Sequence, residues 1–302
     1  MGTRGAVRRA GQSSPVPPEL ERKLTVETGN LPRVFPCRAL RDVAFFPFRS
    51  VTGTLSPVSA SLVVNEVYLS LQGESTFAGL PCVFVRLTGC NLRCSYCDTA
   101  YAFTAGKRTS FDDIQAEVDR LAAPYAGNRV QGHRMPLIEF TGGEPLLQFG
   151  AAALMGQFCD SGFTVLVETS GAHDIGVLDP RVRRIMDLKT PSSGEVTRNR
   201  LENIPRLTAT DEVKFVIGTR EDYDWARGMI ATHDLASRCP LLFSWVAPLL
   251  PHQQDASLKP VPPGLTPISR RDLVEAIVAD RLPVRFQLQM HKFIWPPDQK
   301  GV

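Results

Sequence analysis

The sequence predicts an α/β fold in which parallel strands, covered by outer helices, close most of the way into a barrel. Two observations carry this. From about Leu62 onward, apolar runs of strand length alternate with longer stretches of helical spacing, a pattern that gives a parallel sheet with helical crossovers. The chain of 302 residues is 43% hydrophobic and 22% charged, ordinary for a globular protein able to bury a real core. It has no visible internal repeat.

Residues 1–58 are rich in Pro, Arg, Ser and Gly without sustained periodicity, and are expected to be a disordered extension. Pro47 argues against a regular element in the apolar stretch from Val43 to Phe48. Arg8 and Arg9 precede no apolar run, which argues against a secretory signal. Glu19 and Glu21 argue against an organelle presequence. The formal charge of +3 arises in this leader: residues 1–60 hold nine Arg or Lys against four acids. The remainder carries no basic footprint for nucleic acid. No apolar run of about 18 residues offers a membrane span.

Pro81–Thr88 reads as a strand leading into a cysteine cluster. Ser110 followed by Asp113 opens a helix with Ile114, Val118 and Leu121 as its apolar stripe. Leu137–Thr141 is a strand and Leu146–Cys159 a helix. Phe163–Thr169, Arg184–Lys189, Glu212–Ile217, Leu241–Val246 and Val284–Met290 are further strands. Helices fall near Glu221–Thr232 and Arg270–Asp280, the second opened by Ser269 and Asp272.

Of seven cysteines, Cys37, Cys82, Cys159 and Cys239 are scattered and read as small buried side chains. A reducing, cytoplasmic setting follows. Cys90, Cys94 and Cys97 stand in C-x3-C-x2-C spacing on the loop after the first core strand. Three thiolates on one loop can hold three irons of a 4Fe–4S cubane and leave the fourth open for inner-sphere chemistry. Zinc is the competing reading, although it usually takes four ligands in paired spacing.

With this loop, the segment Thr141-Gly142-Gly143-Glu144-Pro145 resembles the radical S-adenosylmethionine superfamily. The resemblance implies that S-adenosylmethionine chelates the open iron and is cleaved to a 5′-deoxyadenosyl radical. It places Tyr96 against the adenine, with Asp98 beside it. Gly142 and Gly143 would let the backbone approach the ligand, and Glu144 would receive the methionyl ammonium. By the same match Asp187, Leu188 and Lys189 lie at the ribose and carboxylate of S-adenosylmethionine, with Ser244 a weaker candidate. Asp187 and Lys189 share one strand face, and a surface salt bridge is the plainer alternative.

The stretch Asn65–Ser75, with Arg86, Asp98, Thr99, Glu168-Thr-Ser-Gly171, Lys214 and Gln289–Trp295, resembles the 7-carboxy-7-deazaguanine synthase family from about residue 62 to the C-terminus. Residues 59–302 are then the catalytic domain, an incomplete TIM-like barrel acting as a homodimer, with its site at the carboxyl ends of the strands. Ser75 departs from the family's usual glycine after the glutamate. The resemblance implies contraction of 6-carboxy-5,6,7,8-tetrahydropterin to 7-carboxy-7-deazaguanine with loss of ammonia. The reaction would begin by hydrogen abstraction at carbon 6, a flavodoxin- or ferredoxin-type protein serving as reductant. No side chain is expected to be the catalyst; the radical is.

Leu71, Gln72, Gly73, Glu74, Arg86, Thr141 and His291 are the expected substrate residues. Gln72 and Glu74 suit the amide-like pterin edge, and Arg86 offers a fork for its carboxylate. His291 also reads as a structural histidine near a strand end. Thr99 matches the family's Mg2+ ligand, a single hydroxyl suiting a cation that keeps its water. Glu168 and Lys214 read as structural partners. Two rival functions are a glycyl-radical activase and a non-catalytic zinc module; an iron–sulfur regulator lacks the charge for nucleic acid.

Overall fold

A computed structural model of the protein describes residues 60–296 and 299–302. The expected disordered extension, residues 1–58, lies outside the described residues, as does its apolar stretch from Val43 to Phe48.

The chain opens with β1 (Ser61–Leu71), β2 (Pro81–Leu87) and β3 (Lys107–Ser110), then α1 (Phe111–Ala122). A small ribbon of β4 (Arg129–Val130) and β5 (His133–Arg134) precedes β6 (Leu137–Gly142), α2 (Ala151–Asp160), β7 (Val165–Thr169) and β8 (Arg183–Asp187). Then follow β9 (Glu212–Ile217), α3 (Arg220–Thr232), β10 (Leu241–Trp245), α4 (Arg270–Ala279), β11 (Arg285–Gln287) and α5 (His291–Ile294).

Strands β2 and β6 to β11 pair in sequence order, all parallel, and β1 and β3 extend the sheet antiparallel beyond β2. The two edges, β3 and β11, do not meet, so this is a partial barrel. β1 and β3, absent from the sequence reading, lengthen it on one side.

Alternation sorts each strand's residues. Val83, Val85, Ile138, Phe140, Val165 and Val167 join the large core with the helices. Phe84, Leu137, Leu166 and Ile185, on the opposite face, form a second cluster plugged by Phe77 from the β1–β2 connection. Farther along that inner face apolar residues give way to Glu139, Thr141, Asp187 and Lys214. Helix starts follow their caps: Ser110 Oγ accepts from Asp113 N at 3.1 Å, Ser269 Oγ from Asp272 N at 3.1 Å, and Thr219 forms a capping box with Asp222.

Two expected elements are corrected. The helix Leu146–Cys159 is split into a single turn over Pro145–Leu147 and α2. The cause is Gln148, whose amide donates to Val63 O at 2.8 Å and Thr88 O at 3.0 Å and accepts from Val63 N at 2.7 Å. Serving β1 as a substitute strand partner, it holds its own backbone extended. The strand Val284–Met290 shrinks to β11, and His291 opens α5 instead of ending a strand.

Candidate active site

Two open clefts lie side by side where the parallel strands end. The first, about 900 Å³, is lined by Cys90, Cys94, Tyr96 and Cys97 from the loop after β2. Thr141, Gly142 and Gly143 at the end of β6, Thr169 and Ser170 after β7, and Asp187 and Lys189 after β8 form its floor. The second, about 850 Å³, is walled by Leu71, Gln72, Gly73, Arg86 and His291 with Tyr68 and Tyr101. Glu74, Asp98, Thr99, Thr141 and Lys292 line both.

The glycines after β6 serve the fold before any ligand. A Cβ on Gly142, whose φ is +134°, would collide with the Leu87 main chain, and one on Gly143 would strike Gly89 O and lie 2.9 Å from Cys90 Cβ. β6 thus ends pressed against the cysteine loop, with Glu144 N donating to Gly89 O at 2.9 Å. The Glu144 carboxylate, expected to receive the methionyl ammonium, has its bonds within the protein. It is fully buried and accepts from Leu146 N at 2.9 Å, Thr169 Oγ1 at 2.8 Å, and Ser170 N and Oγ at 2.8 and 2.5 Å. Four donors saturate it, so it clamps the ends of β6 and β7 together and does not face the cleft.

Burial raises all three thiols, Cys94 to about 11 and Cys97 to about 12. The metal-free thiols are therefore protonated at neutral pH, and loading releases protons. Among the described residues no three Cys, His, Asp or Glu side chains converge on a single ion. Asp187 Oδ2 accepts from Lys189 Nζ at 2.6 Å, and both side chains are largely buried, so this is no surface salt bridge. Asp187 Oδ1 is buried with no hydrogen-bond partner among the described residues.

In the second cleft the Gln72 side chain is held from two sides. Its amide donates to Glu139 Oε2 and its oxygen accepts from Glu74 N, each at 2.5 Å. These bonds shape the loop that presents Glu74, and one N–H and one lone pair of the amide are left beyond them. Glu74 accepts from Lys214 Nζ at 3.0 Å and Gln289 Nε2 at 2.9 Å. Gly73 O accepts from Met290 N at 3.1 Å, and a Cβ on Gly73 would lie 3.1 Å from His291 Nδ1. The loop after β1 and the start of α5 meet there. Arg86 donates to Glu66 Oε1 at 2.7 Å and Tyr68 OH at 2.6 Å, so its charge is matched before substrate arrives. Thr99 donates to Asp98 Oδ1 at 2.9 Å, which leaves its oxygen lone pairs for a cation.

Leu188 and Ser244 line neither cleft; Leu188 is fully buried, and Ser244 sits in β10 between Val216 and Gln287. Conversely, Tyr101 lines the second cleft and Glu139 lies behind it against Gln72, and both escaped the sequence reading; Gln289 and Lys292, met there only within Gln289–Trp295, line the clefts with their side chains bonded to Glu74 and Asp98. The signal for Glu139 was present: it alternates with Ile138 and Phe140, a carboxylate on the inner face of an otherwise apolar strand. Burial and the nearby Glu168 charge raise Glu139 to about 8, keeping it neutral at pH 7. Burial also pushes Glu168 up, but the Lys214 charge and hydrogen bond outweigh it and hold Glu168 below the usual range.

The family model for the Radical SAM superfamily matches residues 84–226. The chain is 42% identical over 245 residues to the 7-carboxy-7-deazaguanine synthase of Koribacter versatilis (strain Ellin345), covering 79% of this chain and 99% of that protein. It is 40% identical over 246 residues to the enzyme of the same name from Chlorobaculum tepidum, covering 80% and 98%. Among solved structures it resembles QueE from Escherichia coli with a TM-score of 0.56 at 21% identity, over 76% of this chain and 95% of that one.

Proposed function

The chain belongs to the 7-carboxy-7-deazaguanine synthase family of radical S-adenosylmethionine enzymes, and we propose that its two joined clefts divide that family's reaction between cofactor and substrate. The protein is a carbon–nitrogen lyase that converts 6-carboxy-5,6,7,8-tetrahydropterin to 7-carboxy-7-deazaguanine with loss of ammonia, a step of queuosine biosynthesis. It uses a 4Fe–4S cluster, S-adenosylmethionine and Mg2+. When bound, the first two supply a one-electron cleavage that yields the 5′-deoxyadenosyl radical.

Cys90, Cys94 and Cys97 would hold the cluster, since all three line one cleft. Beside them Tyr96 would cover the adenine. Asp187, with its unpartnered buried Oδ1, would accept a ribose hydroxyl while Lys189 pairs the carboxylate. Because Glu144 is saturated from within, the peptide edge of Gly142 and Gly143 is what remains to meet the methionyl group. Leu71, Gln72, Gly73, Glu74, Arg86, Thr141 and His291 would wall the pterin, and Thr99, at the seam of the clefts, would ligate Mg2+. We place this activity in residues 59–302, assign the electron to a flavodoxin- or ferredoxin-type protein, and expect a homodimer.

The observation that carries the reading is the seam: Glu74, Asp98, Thr99 and Thr141 face both clefts, so a cofactor in one and a substrate in the other would adjoin across a single shared wall. The test is anaerobic reconstitution with iron and sulfide, then turnover with reductant, S-adenosylmethionine, magnesium and the carboxypterin. Mass spectrometry should find 7-carboxy-7-deazaguanine. Cleavage of S-adenosylmethionine without that product would reject the substrate and keep the superfamily.

A further inference from the structure

The cations around the second cleft are almost all matched. Arg86 pairs with Glu66 at 2.7 Å, Lys292 with Asp98 at 2.6 Å, and Lys214, just behind, lies between Glu74 and Glu168. Lys300 differs. It lines the cleft, and among the described residues it pairs with no carboxylate. Its ammonium rests instead over the Tyr101 ring, 4.5 Å from the ring centre. That ring is itself fixed, because Tyr101 OH donates to Glu66 Oε1 at 3.0 Å. The aromatic face holds the cation in place without neutralising it.

We propose that Lys300, seated on Tyr101, is the residue that reads the carboxylate of the pterin and sets the preference for a carboxylated substrate over a neutral one. This deepens the functional reading above and rests on it. A carboxylate entering the cleft meets one unmatched positive charge, and a charge-assisted hydrogen bond forms with no internal ion pair to break. Arg86, held by Glu66 and Tyr68, shapes the wall and contributes little net charge. The exposed position of Lys300 means that its replacement leaves the fold intact.

The test compares wild type, Lys300→Met and Lys300→Arg at saturating magnesium, with the carboxypterin as substrate and tetrahydropterin, which lacks the carboxylate, as a binding probe. Lys300→Met should raise KM for the carboxypterin about tenfold or more, Lys300→Arg should recover most of it, and Kd for tetrahydropterin should be the same in all three. A KM for Lys300→Met within twofold of wild type overturns the proposal. So does an equal loss of tetrahydropterin binding, which would mean a shape effect and not charge reading. A wild-type enzyme that makes no product from the carboxypterin removes the functional reading first and this inference with it.

Discussion

Lys214 Nζ lies 3.0 Å from Glu74 Oε2, tying the middle of β9 to the loop after β1, and it holds the Glu168 carboxylate on its other side. One buried ammonium therefore answers two carboxylates from distant parts of the chain. Glu139 nearby, raised by burial and by the Glu168 charge, adds no third negative charge to this group when it is protonated.

Removing that cation leaves two part-buried carboxylates uncompensated, Glu168 the more exposed of the two. Lys214→Met should cost about 2–3 kcal/mol of stability, below the penalty for stranding a fully buried charge. Urea unfolding at pH 7 measures it. The deficit should shrink at pH 5 as the freed carboxyls protonate; a deficit independent of pH would mean lost packing alone.

Gly143→Ala should fold and yet bind little iron. The added methyl meets the Gly89 main chain and Cys90 Cβ, and relief comes most easily by moving the cysteine loop. Iron content after anaerobic reconstitution, read beside an unchanged far-ultraviolet dichroism spectrum, checks this. Full loading would show that β6 gives way instead.

Glu144→Ala leaves four donors facing an empty site, including the Ser170 and Leu146 amides. A loss of roughly 2–4 kcal/mol is expected from stranded buried donors. Glu144→Gln, which keeps acceptor capacity, should lose less than half of that. Thermal or urea midpoints of the two variants decide the order.

Glu139 predicts a pH dependence. Its carboxyl is raised from 4.5 to about 8 in the folded protein, so the native state holds a proton that the unfolded chain releases. That contribution is whole below about pH 4.5 and is lost as pH rises toward 8. Glu139→Gln lacks the proton, and its stability should gain on wild type by on the order of 3 kcal/mol between pH 5 and pH 9. Parallel pH–stability curves would contradict the assignment.

The apolar strands were legible because central parallel strands such as β6 and β9 are buried on both faces, and the cysteine spacing because three ligands share one short loop. Cap residues such as Ser110 and Ser269 were legible for a local reason. Features set by distant partners were not. Nothing near Gln148 announces that its side chain will pair with Val63 and Thr88, so the helix read through it was too long. Glu144 and Gln72 stand in segments that resemble ligand-binding motifs, and nothing local announces that their side chains also bond Ser170 and Glu139. Ser75 explains its own departure from the family pattern: its φ is +64°, the region where glycine is at ease. Its hydroxyl offsets part of that strain by accepting from Phe77 N at 3.1 Å.

The five residues facing both clefts have an energetic consequence for how the enzyme is loaded. A ligand that reorients Glu74, Asp98 or Lys292 from one side alters the walls met by a ligand arriving on the other. Linkage makes the two effects equal in size: whatever factor S-adenosylmethionine imposes on pterin affinity, the pterin returns to S-adenosylmethionine. On the proposed division of the clefts, such coupling would be read as a pterin affinity that differs with and without S-adenosylmethionine, and a half-loaded enzyme would be the species it suppresses or favours.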